Sequence, residues 1–289
     1  MRRRNALSKY GGEIKAFVAV SLVFIAIYLS FTLGLFARKT PLSEMIVNVT
    51  SRLGPFPSSP YGVAYGDGLI WVSLPKEGEI LALTEDGKVV RRIKVTNASP
   101  TGVAWGEGKL WVLDAREGRV LVVDPQSQQV VDEMCRELVY PTAITYWSGL
   151  LYVYDSYFQE MIAFNPSLRN VVWRTKYPVT IGLAASEEGL WALLAKDYSI
   201  VLLSWSDISR VKRRYYSPTP APYGLDWGDR SLWICDISSC EVLRLDPYAR
   251  MYRVVGSKPP SWLAFAYAIS LIPIALSALS KIGRQPYAT

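Results

Sequence analysis

Two long uncharged apolar runs frame this chain, and between them apolar residues come in short bursts broken by turns. The first run, Ala16 to Phe36, holds 21 residues without a charge, and the second, Ser261 to Ser280, holds 20, with Pro273 near its middle. At about 1.5 Å of rise per residue, either would cross a hydrocarbon core of about 30 Å as a helix. The bursts between Pro60 and Gly256 are too short for helices. They end in Gly, Asp-Gly or Asp-Pro turns, the pattern of short β-strands.

The bursts repeat. Glycine (alanine once) and an aromatic stand nine residues apart at Gly62 and Trp71, Gly102 and Trp111, Ala143 and Tyr152, Gly182 and Trp191, and Gly224 and Trp233. Successive copies lie 40, 41, 39 and 42 residues apart. Thirteen residues after each aromatic comes Thr84, Asp124, Asn165, Ser204 or Asp246. Each copy resolves into four strand-length runs. The period therefore predicts one four-stranded antiparallel sheet per copy and a radial array of them, an all-β, five-bladed β-propeller over residues 60–256. Glycine suits the crowded innermost strand, and the aromatic fills space between neighbouring blades. Pro60, Pro100, Pro141 and Pro222, two positions before the first anchor, fix the chain where no ladder donor is needed; the fourth copy has Thr180 there. Met45 to Thr50 looks like a fourth strand without a copy of its own. Pairing with the last blade, beside or in place of Met251 to Val255, would latch the ring and bring both apolar runs to one side of it.

Charge orients these parts. The chain holds 32 Lys+Arg against 25 Asp+Glu, a net +7. Arg2, Arg3, Arg4, Lys9 and Lys15 precede the first run against Glu13 alone, and Lys281 and Arg284 follow the second. That excess puts both termini in the cytoplasm and the propeller outside, in a two-pass membrane protein. The expected organisation is a basic tail (1–15), a transmembrane helix (16–36), a linker with the latch strand (37–59), the propeller (60–256), a second transmembrane helix (261–280) and a cytoplasmic tail (281–289). Basicity at the tails points to membrane lipid as a partner and away from nucleic acid. A cleaved signal peptide is the alternative for the first run, although 21 residues is long for its apolar region. Cys235 and Cys240 flank a short loop, and a disulfide between them suits an outside location if their Cβ atoms face each other. Cys135 is left over. Asn48 and Asn97 open Asn-x-Ser/Thr triplets and are candidate glycosylation sites.

The phrases Pro60-Tyr-Gly-Val-Ala-Tyr-Gly-Asp-Gly-Leu-Ile-Trp-Val72 and Pro100-Thr-Gly-Val-Ala-Trp-Gly-Glu-Gly-Lys-Leu-Trp-Val112 resemble streptogramin lyase-like and NHL-type propellers. The turn Thr84 to Val89 is similar to a corner of YncE-like propellers. The resemblance implies the architecture over residues 60–256 and leaves activity open, since such propellers include lyases, lactonases, cyclotransferases and binding platforms. The chain contains no histidine. Streptogramin lyases use histidine as the catalytic base, so no catalytic residue carries over. Histidine-ligated metal sites and Ser-His-Asp hydrolysis are excluded on the same ground. Five copies also match the blade number of plant-type glutaminyl cyclotransferases, without a local motif that would place their catalytic glutamate.

Asp114, Asp155 and Asp236 end the second strand of copies two, three and five, where copies one and four have Leu74 and Leu194. They have two readings: oxygen ligands for Ca2+ at the mouth of the central channel, or Asx-turn caps of the following hairpin. The loops after those strands carry Lys76, Arg116, Arg119 and Lys196, with Tyr154, Tyr157, Phe158 and Tyr198 close by. Aromatic and basic residues together make that side of the disc the expected partner face. The run Arg210 to Tyr216 reads as charge protection of an exposed outer strand. These features favour a membrane-anchored extracytoplasmic module that binds or scaffolds a protein or glycan. The rival is a cation-dependent lyase or lactonase-like enzyme built on the three aspartates. A third reading is an accessory subunit of a membrane complex, docked through its helices, with Gly34 and other small residues allowing close approach.

Overall fold

A strand that is apolar on both faces is stable only with a neighbour on each side, and sheets stacked radially supply one. The computed structural model describes residues 11–32, 38–41, 46–135, 137–249, 252–255 and 262–282. These fall into two units, Ser43–Met251 and the combination of Met1–Leu42 with Tyr252–Thr289. Gly34, Met45, Arg2, Arg3, Arg4, Lys9 and Arg284, which entered the reading of topology and latch, lie outside the described residues.

In the smaller unit, helix α1 (Gly11–Thr32) lies antiparallel to helix α2 (Trp262–Ile282). Ser21 Oγ and Tyr267 OH share a hydrogen bond of 2.8 Å, Phe24 and Tyr267 rings sit 5.0 Å apart, and Ser277 Oγ donates to Glu13 Oε1 at 2.9 Å. An antiparallel ribbon follows, β1 (Arg38–Pro41) with β22 (Tyr252–Val255), Arg38 opposite Val255. Gly11–Ser30 is long and apolar enough to cross a membrane, with mean hydropathy 1.9, and the apolar stretch of α2 is Ala266–Ser277.

The larger unit is the five-bladed propeller. Latch strand β2 (Asn48–Leu53) comes first in the chain and belongs to the last blade. Blade one is β3 (Gly62–Gly66), β4 (Leu69–Leu74), β5 (Glu79–Leu83) and β6 (Val89–Lys94). Blade two is β7 (Pro100–Gly106), β8 (Lys109–Asp114), β9 (Arg119–Asp124) and β10 (Gln129–Met134). Blade three is β11 (Pro141–Trp147), β12 (Leu150–Asp155), β13 (Glu160–Asn165) and β14 (Asn170–Lys176). Blade four is β15 (Thr180–Ser186), β16 (Gly189–Leu194), β17 (Ser199–Ser204) and β18 (Asp207–Tyr216). Blade five is β19 (Pro222–Gly228), β20 (Ser231–Asp236) and β21 (Glu241–Asp246), completed by β2 with Asn48 opposite Asp246 and Leu53 opposite Val242. The latch thus runs three residues later than the sequence pattern placed it. It stands in place of Tyr252–Val255, which pairs with β1 instead.

The repeated residues are explained by packing across the seams between blades. A Cβ on Gly62 would stand 2.8 Å from the Cα of Gly102, so the innermost strands approach too closely for a side chain there. The buried ring of each second strand stacks on an aromatic of the next blade's first strand: Trp71 on Trp105, Trp111 on Tyr146, Trp191 on Trp227 and Trp233 on Tyr65. At three of these seams the stacked ring covers the glycine ending the previous blade's first strand, where a Cβ on Gly66 would fall 1.9 Å from Trp105; blade four ends that strand with Ser186. Blade four departs from the rule with Ala185, and blade three answers with Trp147 in the glycine's place. The space is closed by Trp205, stacked 6.2 Å from Trp147 and tilted 5.4 Å from Tyr152, with Trp173 beside them. The second anchors cap the third-to-fourth turns, as Asp124 does by accepting the Gln126 N–H at 2.9 Å.

Candidate functional site

The loops joining second to third strands share one face of the disc, here the upper face, with the connections between blades. They are tied to each other by backbone hydrogen bonds: the N–H of Val95 to Gly78 O, Ala115 to Ser99 O, Ser156 to Tyr140 O, Ala195 to Val179 O and Ser217 to Tyr198 O. The frame is therefore fixed by the backbone before any side chain contributes.

The three aspartates reinforce it. Asp114 Oδ1 accepts the N–H groups of Ser99 (2.9 Å) and Arg116 (3.1 Å), and its Oδ2 accepts Arg119 Nε at 3.1 Å. Asp155 Oδ2 accepts Val139 N–H at 2.7 Å, and Oδ1 accepts Tyr157 N–H at 2.9 Å. Asp236 accepts from Ser238 N (3.0 Å), Ser238 Oγ (2.6 Å) and Ser239 Oγ (2.9 Å). Burial opposes its ionisation, but the hydroxyls of Ser238, Thr219 and Ser239 outweigh it and hold the carboxyl below the usual carboxylate value. This is Asx-turn geometry: each carboxylate pins a hairpin and ties it to the preceding connection, Asp114 and Asp155 through backbone amides and Asp236 through the Thr219 hydroxyl. A cation there would have to displace these donors. Among the described residues, no group of three or more His, Cys, Asp or Glu is placed to hold a metal ion.

The axis offers no room. The cavity lined by Tyr61, Gly62, Gly102, Thr142, Gly182 and Gly224 measures about 10 Å³, no more than one water. Above it, Tyr61 and Tyr223 pack with centroids 4.9 Å apart. Burial, with the neighbouring Tyr140 and Tyr61, pushes the Tyr223 phenol up.

The expected partner face is partly corrected. Tyr154 is fully buried because both faces of β12 are covered, and its OH donates to Tyr177 O at 2.8 Å. Arg119 is mostly buried between Asp114 (3.1 Å) and Glu133 (2.5 Å), so it holds the blade together. Lys76, Arg116 and Lys196 are exposed, as are Tyr157 (68%), Phe158 and Tyr198. The structure adds Val139, Tyr140 (59%) and Val179 from the connections on the same face. Together these form an aromatic sector over blades three and four. The signal for the added residues was present in the sequence, as an apolar pair inside a loop.

The proposed disulfide is corrected as well: Cys135, Cys235 and Cys240 are free. Hairpin register pairs Asp236 with Glu241 and Cys235 with Val242, so Cys240 falls in the turn and not across from Cys235. Asn48 and Asn97 are both exposed.

Two features escaped the sequence reading. One is Asp226, buried in β19, whose Oδ2 accepts Tyr65 N–H at 2.6 Å across the seam that closes the ring. Burial pushes its carboxyl up to about 7 against hydrogen bonds from the Tyr65 and Trp227 amides. The other copies have Ala64, Ala104, Thr145 and Ala184 at this register, so the acid was a visible exception. The second is a groove of about 680 Å³ between blades two and three. Its floor includes Met134, Leu138, Ile162 and Phe164, with Asp132 and Glu133 on one wall and Arg169 and Arg174 on the other. Cys135 at its edge is pushed up to about 12 by burial and the Glu137 charge, so its thiol stays protonated.

No sequence family and no curated protein matches the chain. Among solved structures, the glutaminyl cyclase of Myxococcus xanthus aligns with a TM-score of 0.61 at 13% identity, covering 73% of this chain and 98% of that one. The nidogen/laminin complex aligns with a TM-score of 0.51 at 17% identity, covering 68% and 79%. A streptogramin B lyase aligns at 16% identity over 78% and 74%, with a TM-score of 0.46. At such identities the likeness is one of fold. The propeller architecture that the Pro-x-Gly and Gly-x-Gly phrases implied is shared; catalytic residues do not come with it.

Proposed function

We propose that this chain is a membrane-anchored binding module whose upper propeller face docks a partner protein. The observation that carries the reading is the sector of Tyr140, Tyr157, Phe158 and Tyr198, solvent-exposed on loops that backbone hydrogen bonds tie to the neighbouring connections. Exposed aromatic side chains, with Lys76, Arg116 and Lys196 on loops of the same face, are what protein contact surfaces use. The closed axis removes the usual place for a small ligand in such a ring.

Both helices serve as the anchor in this reading. Helices of 22 and 21 residues reach about 30 Å at 1.5 Å per residue, and they contact each other through Ser21, Phe24 and Tyr267. The basic residues outside them favour cytoplasmic termini and an extracytoplasmic propeller. The chain leaves blade five through Asp246 beside Asn48, at the ends of β21 and β2 away from the upper loops, so the aromatic face is turned from its own points of attachment within the propeller. Replacing Tyr140, Tyr157 and Tyr198 together by Ser is expected to abolish partner recovery after mild detergent extraction and leave the unfolding temperature unchanged. Undiminished recovery would refute the docking face. With Cys135, Cys235 and Cys240 replaced by Ser, an impermeant thiol reagent should label Tyr157→Cys in intact cells and leave Ser8→Cys unlabelled; the reverse pattern would overturn the topology.

A further inference from the structure

Along each blade a row of side chains runs outward from the buried ring of the second strand, toward the wedge before the next blade. In blade one the row is Trp71, Ala82 and Arg91, and in blade four Trp191, Leu202 and Arg213. In blade five Arg244 follows Trp233 directly, and blade two ends in Asp132, paired with Arg169 of blade three. The row arginines cross their wedges. Arg91 donates to Pro125 O at 2.9 Å, Arg213 lies over the Tyr248 ring at 5.2 Å, and Arg244 lies over Trp233 at 5.3 Å while pairing with Glu85. Blade three breaks the rule with Tyr152, Ala163 and Trp173. Its row brings no charge to the wedge toward blade four, and a pocket of about 320 Å³ stays open there.

The pocket is lined by Tyr152, Trp173 and Thr175 from blade three and by Trp205, Ser206 and Asp207 from blade four. The indoles of Trp173 and Trp205 are partly exposed and tilted against Tyr152, at 6.0 Å and 5.4 Å. Tyr152 is only 7% exposed, yet its OH has no hydrogen-bond partner among the described residues, whereas Tyr154 on the same strand donates to Tyr177 O. A buried phenol is ordinarily partnered, so this one calls for a partner from the pocket. Asp207 Oδ1 accepts the Ser209 N–H at 2.9 Å and Oγ at 2.6 Å, while Oδ2 is unused and the carboxyl makes no ion pair among the described residues. Those Ser209 bonds hold it below the usual carboxylate value, so it stays charged. Arg174 also borders the pocket, but it stands opposite Ile162 on the other face of blade three and pairs with Glu160 at 3.8 Å.

We infer that this pocket binds a hexopyranose ring, free or at the end of a glycan chain. One face of such a ring is made of C–H groups with partial positive charge, which suits the negative faces of Trp173 and Trp205. Its rim of hydroxyls can donate to Asp207 Oδ2 and exchange a hydrogen bond with Tyr152 OH. Other occupants meet that chemistry less well. A hydrocarbon would cover Asp207 and the phenol and offer them no partner. A cation gains little, because Arg210 already stands near enough to Asp207 to favour its charge. An anion would face that same carboxylate. The pocket is separate from the upper aromatic face, and its volume lies at the low end of the roughly 300–1,000 Å³ of ligand clefts.

The test uses the full chain in a polyoxyethylene detergent, which carries no sugar of its own. Methyl glycosides of glucose, galactose, mannose and N-acetylglucosamine, with linear trisaccharides of each, are screened by saturation-transfer NMR and titrated. The expected result is binding of at least one pyranoside. It should weaken roughly tenfold or more in Trp173→Ala and about fivefold in Tyr152→Phe, which loses only the hydroxyl. Equal affinity for glycoside and trisaccharide would identify a free sugar as the ligand, and tighter trisaccharide binding a glycan. Unchanged unfolding temperatures show that both variants are folded. No binding by any pyranoside, or affinity indifferent to both variants, would overturn the proposal. So would a preference for tetramethylammonium over every sugar. Replacing Tyr140, Tyr157 and Tyr198 by Ser should leave sugar binding intact, so failure of this pocket and failure of the upper face are read separately.

Discussion

Blade three meets its two neighbours in different ways. Toward blade four the seam is packed with rings: Tyr152, Trp147, Trp173 and Trp205 pack within 5.4–6.2 Å of one another in successive pairs, and Trp205 Nε1 donates to Ser186 O at 2.9 Å. Toward blade two the inner part is closed in the ordinary way by Trp111 on Tyr146, but the outer part stays open over Met134, Ile162 and Phe164. The repeated anchors therefore close only the inner ring. How far the outer wedge between two blades is filled depends on residues outside the repeat, and each seam settles it separately. Filling gives stability; leaving it open gives apolar surface.

The largest expected effect breaks the filled seam. Trp205→Ala should destabilise the propeller by about 3 kcal/mol in urea unfolding, because its ring contacts with Trp147 and Tyr152 and its hydrogen bond to Ser186 O are lost together. Val171→Ala at the open seam should cost less than about 0.5 kcal/mol, as surface substitutions do. Equal costs would erase the contrast.

The ring-closing seam between blades five and one gives a second test, through pH. Asp226 holds its proton more tightly folded, at about 7, than at its ordinary 3.8. The folded state therefore binds more protons in this range, and the stability due to Asp226 is full below about pH 4 and lost as pH rises through 7. Between pH 5 and pH 8 the propeller should lose about 2–3 kcal/mol, and Asp226→Asn should remove that slope. A slope unchanged in the variant would place its origin elsewhere.

Smaller effects belong to the polar tie at the open seam. Asp155→Asn should cost about 1–2 kcal/mol, since a charged acceptor is lost at Val139 and Tyr157 amides. The smallest effect is none: calcium should leave the unfolding temperature unchanged. A rise that disappears in Asp155→Asn would revive the cation reading.

The ring of blades was legible in the sequence because glycine and the second-strand aromatic answer to the same crowding in each copy. The stacked partners Tyr65, Trp105, Tyr146 and Trp227 recur three residues after the first anchor, a recurrence that drew notice only once the rings were seen across the seams. The exchange of Ala185 against Trp147, filled by Trp205, likewise needed the structure. Tyr154 could not be placed from its strand, since a run buried on both faces has no alternation to show which side is wet. Cys240 misled because a flanking position in a loop says nothing of hairpin register. The groove was invisible for a further reason: an unfilled space has no residue of its own.

The central claim, that the upper sector docks a partner, is tested most directly by a photo-crosslinking amino acid in native membranes. It is placed at position 157 in that sector and, in a second variant, at exposed position 187 in the loop between β15 and β16 on the opposite face. The account predicts a discrete protein adduct from position 157 and none from position 187. An adduct from position 187 alone would contradict it.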